Sequence, residues 1–240
     1  MPAPVFDASA RWPATQGETD FTGGASPYAV QFTHTCGGND RYLFVCIKSN
    51  TDQTEDKVTA IKYNGVSMTF LGSVQHPANA EGRLWRYGLV NPASGANTVR
   101  IERATDFRCQ AASESYTGVN QSDPIGTTVT AYVSSSPLTL TVTGVADSLI
   151  SDCVWMYIHE GVVGSGQSKV WTHWSAGSVA GCEGSNKAGS VGSVSTTWSY
   201  AGSFHGKGLS TPLKPVAAIA GGDFIALGRG LGRGLLRKAR

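Results

Sequence analysis

Short runs of alternating apolar and polar residues, separated by turn-forming residues, recur along most of this 240-residue chain. Asn64-Gly65 is the strongest short hairpin signal, and it joins an alternating run at 57–63 to a second run at 66–71. Residues 41–48 are a short apolar run, which is typical of a central strand buried on both faces. With turn signals every ~8–12 residues and no convincing helix, the pattern predicts an all-β fold, an antiparallel β-sandwich of the jelly-roll or Ig-like kind.

The predicted domain organisation is one sandwich body with an extended arm at each end. Residues 1–26 are rich in proline, glycine and threonine but keep several aromatic side chains, which indicates an N-terminal arm with at most one short strand. The body is predicted to span 27–227, and its second half becomes glycine-rich from about residue 147. Residues 228–240 form a basic C-terminal tail.

Within the second half, glycine and serine dominate 177–192, so this segment is predicted to be a loop. The last strands are predicted at 213–220 and 224–227. No fixed-period repeat is visible, so neither a propeller nor a solenoid is expected.

The formal net charge of +2 predicts no nucleic-acid footprint over the body. The tail is different, because it carries five basic residues and no acidic one: Arg229, Arg233, Arg237, Lys238 and Arg240. These side chains could contact phosphates of nucleic acid, or lie on an amphipathic helix at a membrane or partner groove, although the tail glycines oppose a helix at ~1 kcal/mol each. We favour an arm that docks on an acidic neighbouring subunit, with a plain disordered tail as the remaining alternative. In the first arm, Phe6 and Trp12 are the corresponding candidates for contacts with partners.

The start of the chain has no secretory signal pattern and no run approaches ~18 apolar residues, so we expect synthesis in a cytoplasm and no membrane span. Thiols normally stay reduced in that compartment. The five cysteines include no C-x-x-C pair. Cys36 and Cys182 lie beside glycines, and a disulfide between them stays open as the less favoured alternative.

Motifs for catalysis or metal binding are missing from the sequence. There is no G-x-S-x-G or H-E-x-x-H, since His159-Glu160 is not followed by a second histidine four residues after the first. The loop at 50–56 offers several oxygens for calcium but lacks the EF-hand pattern, so a solvated loop is favoured. We therefore expect no enzyme activity, no cofactor and no metal. A glycan-cleaving enzyme would need two carboxylates ~5–10 Å apart in a cleft.

Four aromatic residues in the second half could form a carbohydrate-binding platform: Trp171, Trp174, Trp198 and Tyr200. Trp198 and Tyr200 are two residues apart and would share one face of a strand. In a sandwich, however, the same pattern more often fills the core or an interface.

Several packing and turn motifs in the first half resemble those of β-sandwich domains found in structural proteins of tailed phages and in some bacterial surface proteins. The residues that carry the resemblance are Tyr63-Asn64-Gly65, Leu84-Trp85, Asn91-Pro92 with Gly95, and Tyr116 with Gly118-Val119, Gln121 and Pro124-Ile125-Gly126. The resemblance covers roughly residues 40–145. It implies a non-enzymatic virion component, such as a capsid decoration, spike or tail protein, whose partners are other virion proteins and copies of itself. The alternative is a module that binds carbohydrate or a receptor, with a host-surface glycan as its partner.

Overall fold

The structure, a computed structural model, describes residues 2–13, 28–49, 58–75, 82–105, 109–157, 160–174, 180–200 and 205–217. These ranges contain seventeen β-strands and no helix, and every strand pairing is antiparallel. The prediction of an all-β, sandwich-type fold is thus confirmed. Among the described residues, no helix is both long and apolar enough to cross a membrane.

The strands of the first half are β1 (Val5–Trp12), β2 (Tyr28–Cys36), β3 (Tyr42–Ser49), β4 (Val58–Tyr63), β5 (Val66–Ser67), β6 (Thr69–Gln75), β7 (Arg83–Val90), β8 (Gly95–Arg103) and β9 (Cys109–Thr117). They form an inner sheet with the order β1-β9-β3-β7-β6 and an outer sheet with the order β2-β8-β4-β5. The two sheets enclose an apolar core that includes Val45, Tyr63 and Trp85. This is the first sandwich.

The strands of the second half are β10 (Val129–Val133), β11 (Leu138–Gly144), β12 (Leu149–Tyr157), β13 (Val162–Val163), β14 (Gln167–Trp174), β15 (Ala180–Ala188), β16 (Gly192–Ser199) and β17 (Gly206–Leu213). Their inner sheet has the order β10-β17-β12-β15-β14, and their outer sheet has the order β11-β16-β13. Leu140, Met156 and Trp198 lie in the core between these sheets. This is the second sandwich.

The two sandwiches have the same topology apart from β5, which occurs only in the first. Replacing β1, β9, β3, β7 and β6 by β10, β17, β12, β15 and β14 converts one inner sheet into the other, and the outer sheets correspond as β2-β8-β4 and β11-β16-β13. Each inner sheet therefore follows the strand order of a jelly-roll sheet and carries one further edge strand, β6 or β14. The backbone repeats as well: Asp40 and Asp147 have positive φ angles before the central strands, and Gly95 and Gly192 have positive φ angles where β8 and β16 begin. The sequence showed no repeat because turns and topology are conserved between the halves while the side chains differ.

The two inner sheets pack face to face, which gives four layers in the order outer, inner, inner, outer. Cys46, Leu84 and Ala112 of the first sandwich share a buried cluster with Trp155 and Leu209 of the second. All eight residues of β3 are buried as a result, because its two faces contact different sheets. The prediction that 41–48 is a strand buried on both faces is therefore confirmed, and the second inner sheet is what covers it.

The second half differs most from the sequence prediction. The described part of the predicted body over 27–227 forms two sandwiches, the first of which includes β1. The predicted loop at 177–192 contains β15, which lies between β12 and β14. At the predicted strand 213–220, β17 already ends at Leu213, and it is the neighbour of β12. Residues 218–220 and the predicted strand at 224–227 lie outside the described residues.

Both missed strands are rich in small residues because large side chains from neighbouring strands occupy the space above them. A Cβ on Gly184 would meet the indole of Trp171, and a Cβ on Gly208 would meet the side chains of Leu140 and Val154. Glycine is therefore required by close packing at these positions, although it lowers the apparent strand propensity.

Candidate functional site

A buried ion pair lies between the two inner sheets. Arg86 on β7 and Glu114 on β9 are almost completely inaccessible to solvent, and their Nη2 and Oε1 atoms are 2.7 Å apart. Arg86 also donates a 2.7 Å hydrogen bond to the carbonyl of Ser151 in the facing sheet, and its Nη2 donates to the hydroxyl of Ser151. The Ser151 hydroxyl and the Trp171 indole donate to Glu114 at 2.5 and 2.8 Å. Since each hydrogen bond has a fixed direction, this network sets the orientation of one sandwich on the other.

A second buried polar group surrounds Trp155 of β12. The ammonium of Lys207 lies 3.6 Å from a ring centre of Trp155 and donates to the carbonyl of Gly82 at 2.8 Å. The ammonium of Lys48 lies 5.7 Å from a ring centre of the same side chain and donates to Gln110 at 3.2 Å. Both lysines are buried, so their charges are stabilised by the indole and by these carbonyl oxygens. The contact between the sandwiches thus combines apolar packing with fully buried charges.

Two ionisable groups are buried inside the individual sandwiches. His34 lies 2.8 Å from the Ser113 hydroxyl through Nδ1, and burial lowers its pKa to about 4, while the charge of Asp7 acts in the opposite direction. Asp152 accepts hydrogen bonds from the backbone and hydroxyl of Ser185 and from the indole of Trp198. Burial raises the pKa of Asp152 to about 6, although these hydrogen bonds lower it in part.

These two groups should change the free energy of unfolding in opposite directions between pH 7 and pH 5. In the folded chain the pKa of His34 lies below its ordinary 6.5, so the contribution of His34 to the free energy of unfolding is fully present above pH 6.5. It is lost as the pH falls towards about 4, and about 2 kcal/mol is lost by pH 5. In the folded chain the pKa of Asp152 lies above its ordinary 3.8, so the contribution of Asp152 to the free energy of unfolding is lost as the pH rises through about 6. Lowering the pH from 7 to 5 therefore restores about 1 kcal/mol.

Urea unfolding of variants at both pH values separates the two contributions. When the pH falls from 7 to 5, the free energy of unfolding of His34→Asn should change by about 2 kcal/mol more in the stabilising direction than that of the unmodified chain. For Asp152→Asn, the same pH change should be about 1 kcal/mol less stabilising than for the unmodified chain. A variant whose pH dependence matches that of the unmodified chain would show that the corresponding side chain titrates as it does in the unfolded chain.

An open cleft of about 410 Å³ lies beside β13 in the second sandwich, and Glu160, Gly161, Val162, Val163 and Lys169 line it. The Lys169 ammonium forms ion pairs with Glu160 at 2.7 Å and with the fully buried Glu183 at 2.9 Å. The second carboxylate oxygen of Glu183 accepts a 2.8 Å hydrogen bond from the backbone of Gly161. The cleft therefore presents two valines, the Glu160 carboxylate and the Lys169 ammonium, and Glu183 binds that ammonium from a fully buried position.

The charges in the cleft affect one another. Hydrogen bonding to Lys169 lowers the pKa of Glu160, whereas burial raises the pKa of Glu183. Burial lowers the pKa of Lys169, but the hydrogen bonds and charges of the two glutamates together raise it by more, so the pKa is shifted upward overall. The Lys169 ammonium occupies the space between the carboxylates, where a glycosidic oxygen would have to sit between an acid and a nucleophile. The arrangement is thus an ion-pair cluster with a net negative charge.

The candidates in the predicted N-terminal arm lie against this chain's own sheets. Residues Val5–Trp12 form β1, the edge strand of the first inner sheet. Phe6 packs edge-to-face on Tyr116, and Trp12 packs against the core of the first sandwich. The segment is therefore an integral strand where the sequence indicated an arm. The tail candidates Arg229, Arg233, Arg237, Lys238 and Arg240 lie outside the described residues.

The predicted carbohydrate platform does not form an exposed face. Trp171 is buried between the sandwiches, and Trp198 and Tyr200 are buried in the second sandwich. The side chain of Trp174 lies outside what the structure describes. Sugar binding requires exposed ring faces, so the core and interface interpretation of these aromatics is the one that the structure supports.

The remaining sequence candidates are spread over the fold. All five cysteines are free; Cys36 lies in the core of the first sandwich and Cys182 lies between the sandwiches, so the alternative disulfide is not formed. The loop at 50–56 and His159 lie outside the described residues. Within the described ranges, no group of three or more His, Cys, Asp or Glu side chains is placed to hold a metal ion.

Sequence reasoning missed the interface network and the cleft. Arg86 and Glu114 sit in strand patterns that read as ordinary alternation, because a buried charge looks the same in sequence as an exposed one. One signal was available: Glu114 lies in a run whose neighbours are small, Ala111-Ala112-Ser113 and Ser115, which is unusual for an exposed strand.

Comparisons with known proteins found no match: no family model, no curated protein and no solved structure matches this chain.

Proposed function

We propose that this chain is a non-enzymatic structural component of a tailed-phage particle, such as a decoration, spike or tail protein. The observation that carries the proposal is the fixed face-to-face stacking of two jelly rolls through the buried Arg86–Glu114–Ser151 network. Such a network holds two domains in one orientation, which a building block of a symmetric particle needs. The jelly roll is an architecture that capsid proteins use, and this analogy of fold adds to the resemblance in the first half.

The surface also offers positions for contacts with neighbouring subunits. Several valines are strongly exposed, among them Val5, Val66, Val162 and Val191. Weak contacts at such positions become effective when many copies are held on a shell, because each contact raises the effective concentration for the next.

Sedimentation velocity over a range of concentrations tests whether the chain assembles. We expect the full chain to self-associate, and a chain lacking residues 228–240 to do so less or not at all. The N-terminal segment is kept in both, since removing β1 would expose the edge of the first inner sheet. If both chains stay monomeric at every concentration and neither binds isolated phage particles, the proposed function is wrong.

A further inference from the structure

Among the described residues, the second sandwich has no counterpart of β5 at the cleft. In the first sandwich, β5 pairs with the end of β4, and the backbone N–H of Met68 donates to the carbonyl of Ile61 at 2.8 Å. The register of the outer sheets makes Val163 the counterpart of Ile61, because Val163 pairs with Trp198 as Ile61 pairs with Ile101. The counterpart of β5 would therefore lie along the outer side of β13.

The chain leaves no residues to form that strand. In the first sandwich, three residues separate Gly65 from the start of β6, and they include β5. In the second sandwich, β14 begins at Gln167, directly after Gly166. Within the described ranges no strand pairs along the outer side of β13, and Val162 is 65% exposed. The cleft of about 410 Å³ lies at this position.

The C-terminal segment has a pattern that suits the vacant position. From 227 to 235 the sequence reads Leu-Gly-Arg-Gly-Leu-Gly-Arg-Gly-Leu, so leucine and arginine alternate at the odd positions and every even position is glycine. In an extended strand, alternate residues point to opposite sides. One face would then carry all the leucine and arginine side chains, and the other face would be bare backbone.

The chemistry of this segment fits the cleft. Its leucines match Val162 and Val163, and its arginines match the exposed Glu160 carboxylate, which belongs to an ion-pair cluster of net negative charge. The last described residues are held beside Gly118, where the N–H of Val216 donates to the Gly118 carbonyl. Nine residues lie between 217 and 227, and this connection can span up to roughly 35 Å when extended.

We propose that residues 227–235 of a neighbouring copy add as a strand to the outer side of β13 and occupy this cleft. The inference rests on the proposed assembly function and deepens it, since it names the contact between copies. Backbone hydrogen bonds to β13 would give affinity, while leucine and arginine in the cleft would give specificity.

The test uses a labelled peptide of residues 225–240 and the chain ending at residue 217, which keeps all seventeen strands. We expect saturable binding by fluorescence anisotropy, and slower amide hydrogen exchange at 161–165 when the peptide is bound. Glu160→Lys should weaken binding about tenfold or more, because it reverses the charge that meets arginine. Asp123→Lys is the matched control, since Asp123 is another acid in an ion pair with a lysine and is equally exposed, at 67%. It should leave the affinity unchanged.

Two further variants separate strand addition from simple charge attraction. Val162→Asp adds negative charge, so it should strengthen purely electrostatic binding but weaken docking on an apolar floor. A peptide of the same composition with the glycine alternation scrambled should bind at least about tenfold more weakly. Equal binding of both peptides, or no protection at 161–165, would overturn the proposal. Circular dichroism and thermal unfolding of each variant confirm that it is folded.

Sedimentation of the full chain tests the neighbouring-copy part of the proposal. Association that rises with concentration and is lost with Glu160→Lys supports it, whereas a monomer with a cleft protected by its own tail overturns it. If the full chain assembles but Glu160→Lys has no effect, this contact is wrong while the proposed function stands. If the tail docks in the cleft but the protein is absent from particles, the proposed function is wrong while the contact stands.

Discussion

Glu114→Ala is expected to lower the free energy of unfolding by about 3–5 kcal/mol, because it leaves the Arg86 guanidinium buried without its carboxylate. The substitution also removes the acceptor for the Ser151 hydroxyl and the Trp171 indole. All of these groups lie between the two inner sheets, where water cannot replace the lost partner. Equilibrium unfolding in urea or guanidinium measures the loss.

A charge-neutral double variant provides the control. Arg86→Met combined with Glu114→Gln removes both charges and keeps a carbonyl oxygen that can accept the Trp171 hydrogen bond. It should be more stable than either single variant, because breaking a buried pair costs more than replacing it. If Glu114→Ala lowers the free energy of unfolding by less than about 1 kcal/mol, the pair contributes no more than a solvent-exposed ion pair does. That result would contradict a buried interface.

Trp155→Ala is expected to lower the free energy of unfolding by about as much as Glu114→Ala does, at the upper end of about 3–5 kcal/mol. Trp155 is 1% exposed, and its removal would leave a cavity between the inner sheets. It would also remove the aromatic ring faced by the buried ammonium groups of Lys48 and Lys207. Thermal and chemical unfolding should both show the loss.

Comparing Trp155→Phe with Trp155→Leu isolates the contribution of the aromatic ring. Both variants leave a smaller apolar side chain, but only phenylalanine keeps a π face for the lysines. Trp155→Phe should therefore be more stable by about 1–2 kcal/mol. Equal stability of the two variants would mean that packing alone explains the role of Trp155.

Strand positions in the first half could be predicted because local signals and long-range packing agree there. Asn64 and Gly65 have the positive φ angles that their hairpin turn requires, and the alternation on either side corresponds to β4 and to the strands after the turn. In β3, the apolar run at 42–47 matches burial on both faces. In such segments sequence pattern, turn chemistry and burial indicate the same structure.

The second half could not be predicted as well because tertiary packing overrides local propensity there. The sequence of β15 contains glycine, serine and asparagine and reads as a loop, yet the strand lies between β12 and β14. Its small residues leave room for large neighbouring side chains, as Trp171 shows at Gly184. Nothing within a short window of sequence reports how large the neighbour on the next strand is.

The contact between the two sandwiches was also beyond local reasoning. Arg86 and Ser151 are far apart in sequence, and only the stacking of the inner sheets brings them together. The aromatic residues that suggested a sugar platform serve the same packing, since Trp171 donates to Glu114 inside the interface. Whether an aromatic residue in a strand is exposed or buried depends on what covers that face, which the alternation alone does not show.

The measurement that tests the proposed function most directly is quantitative mass spectrometry of purified phage particles from the genome that encodes this chain. The account predicts that the protein is present at a fixed number of copies per particle, in proportion to known structural proteins, after stringent purification. Its absence from particles, with abundant protein in the host lysate, would contradict a structural role and would turn attention to a function of the free protein.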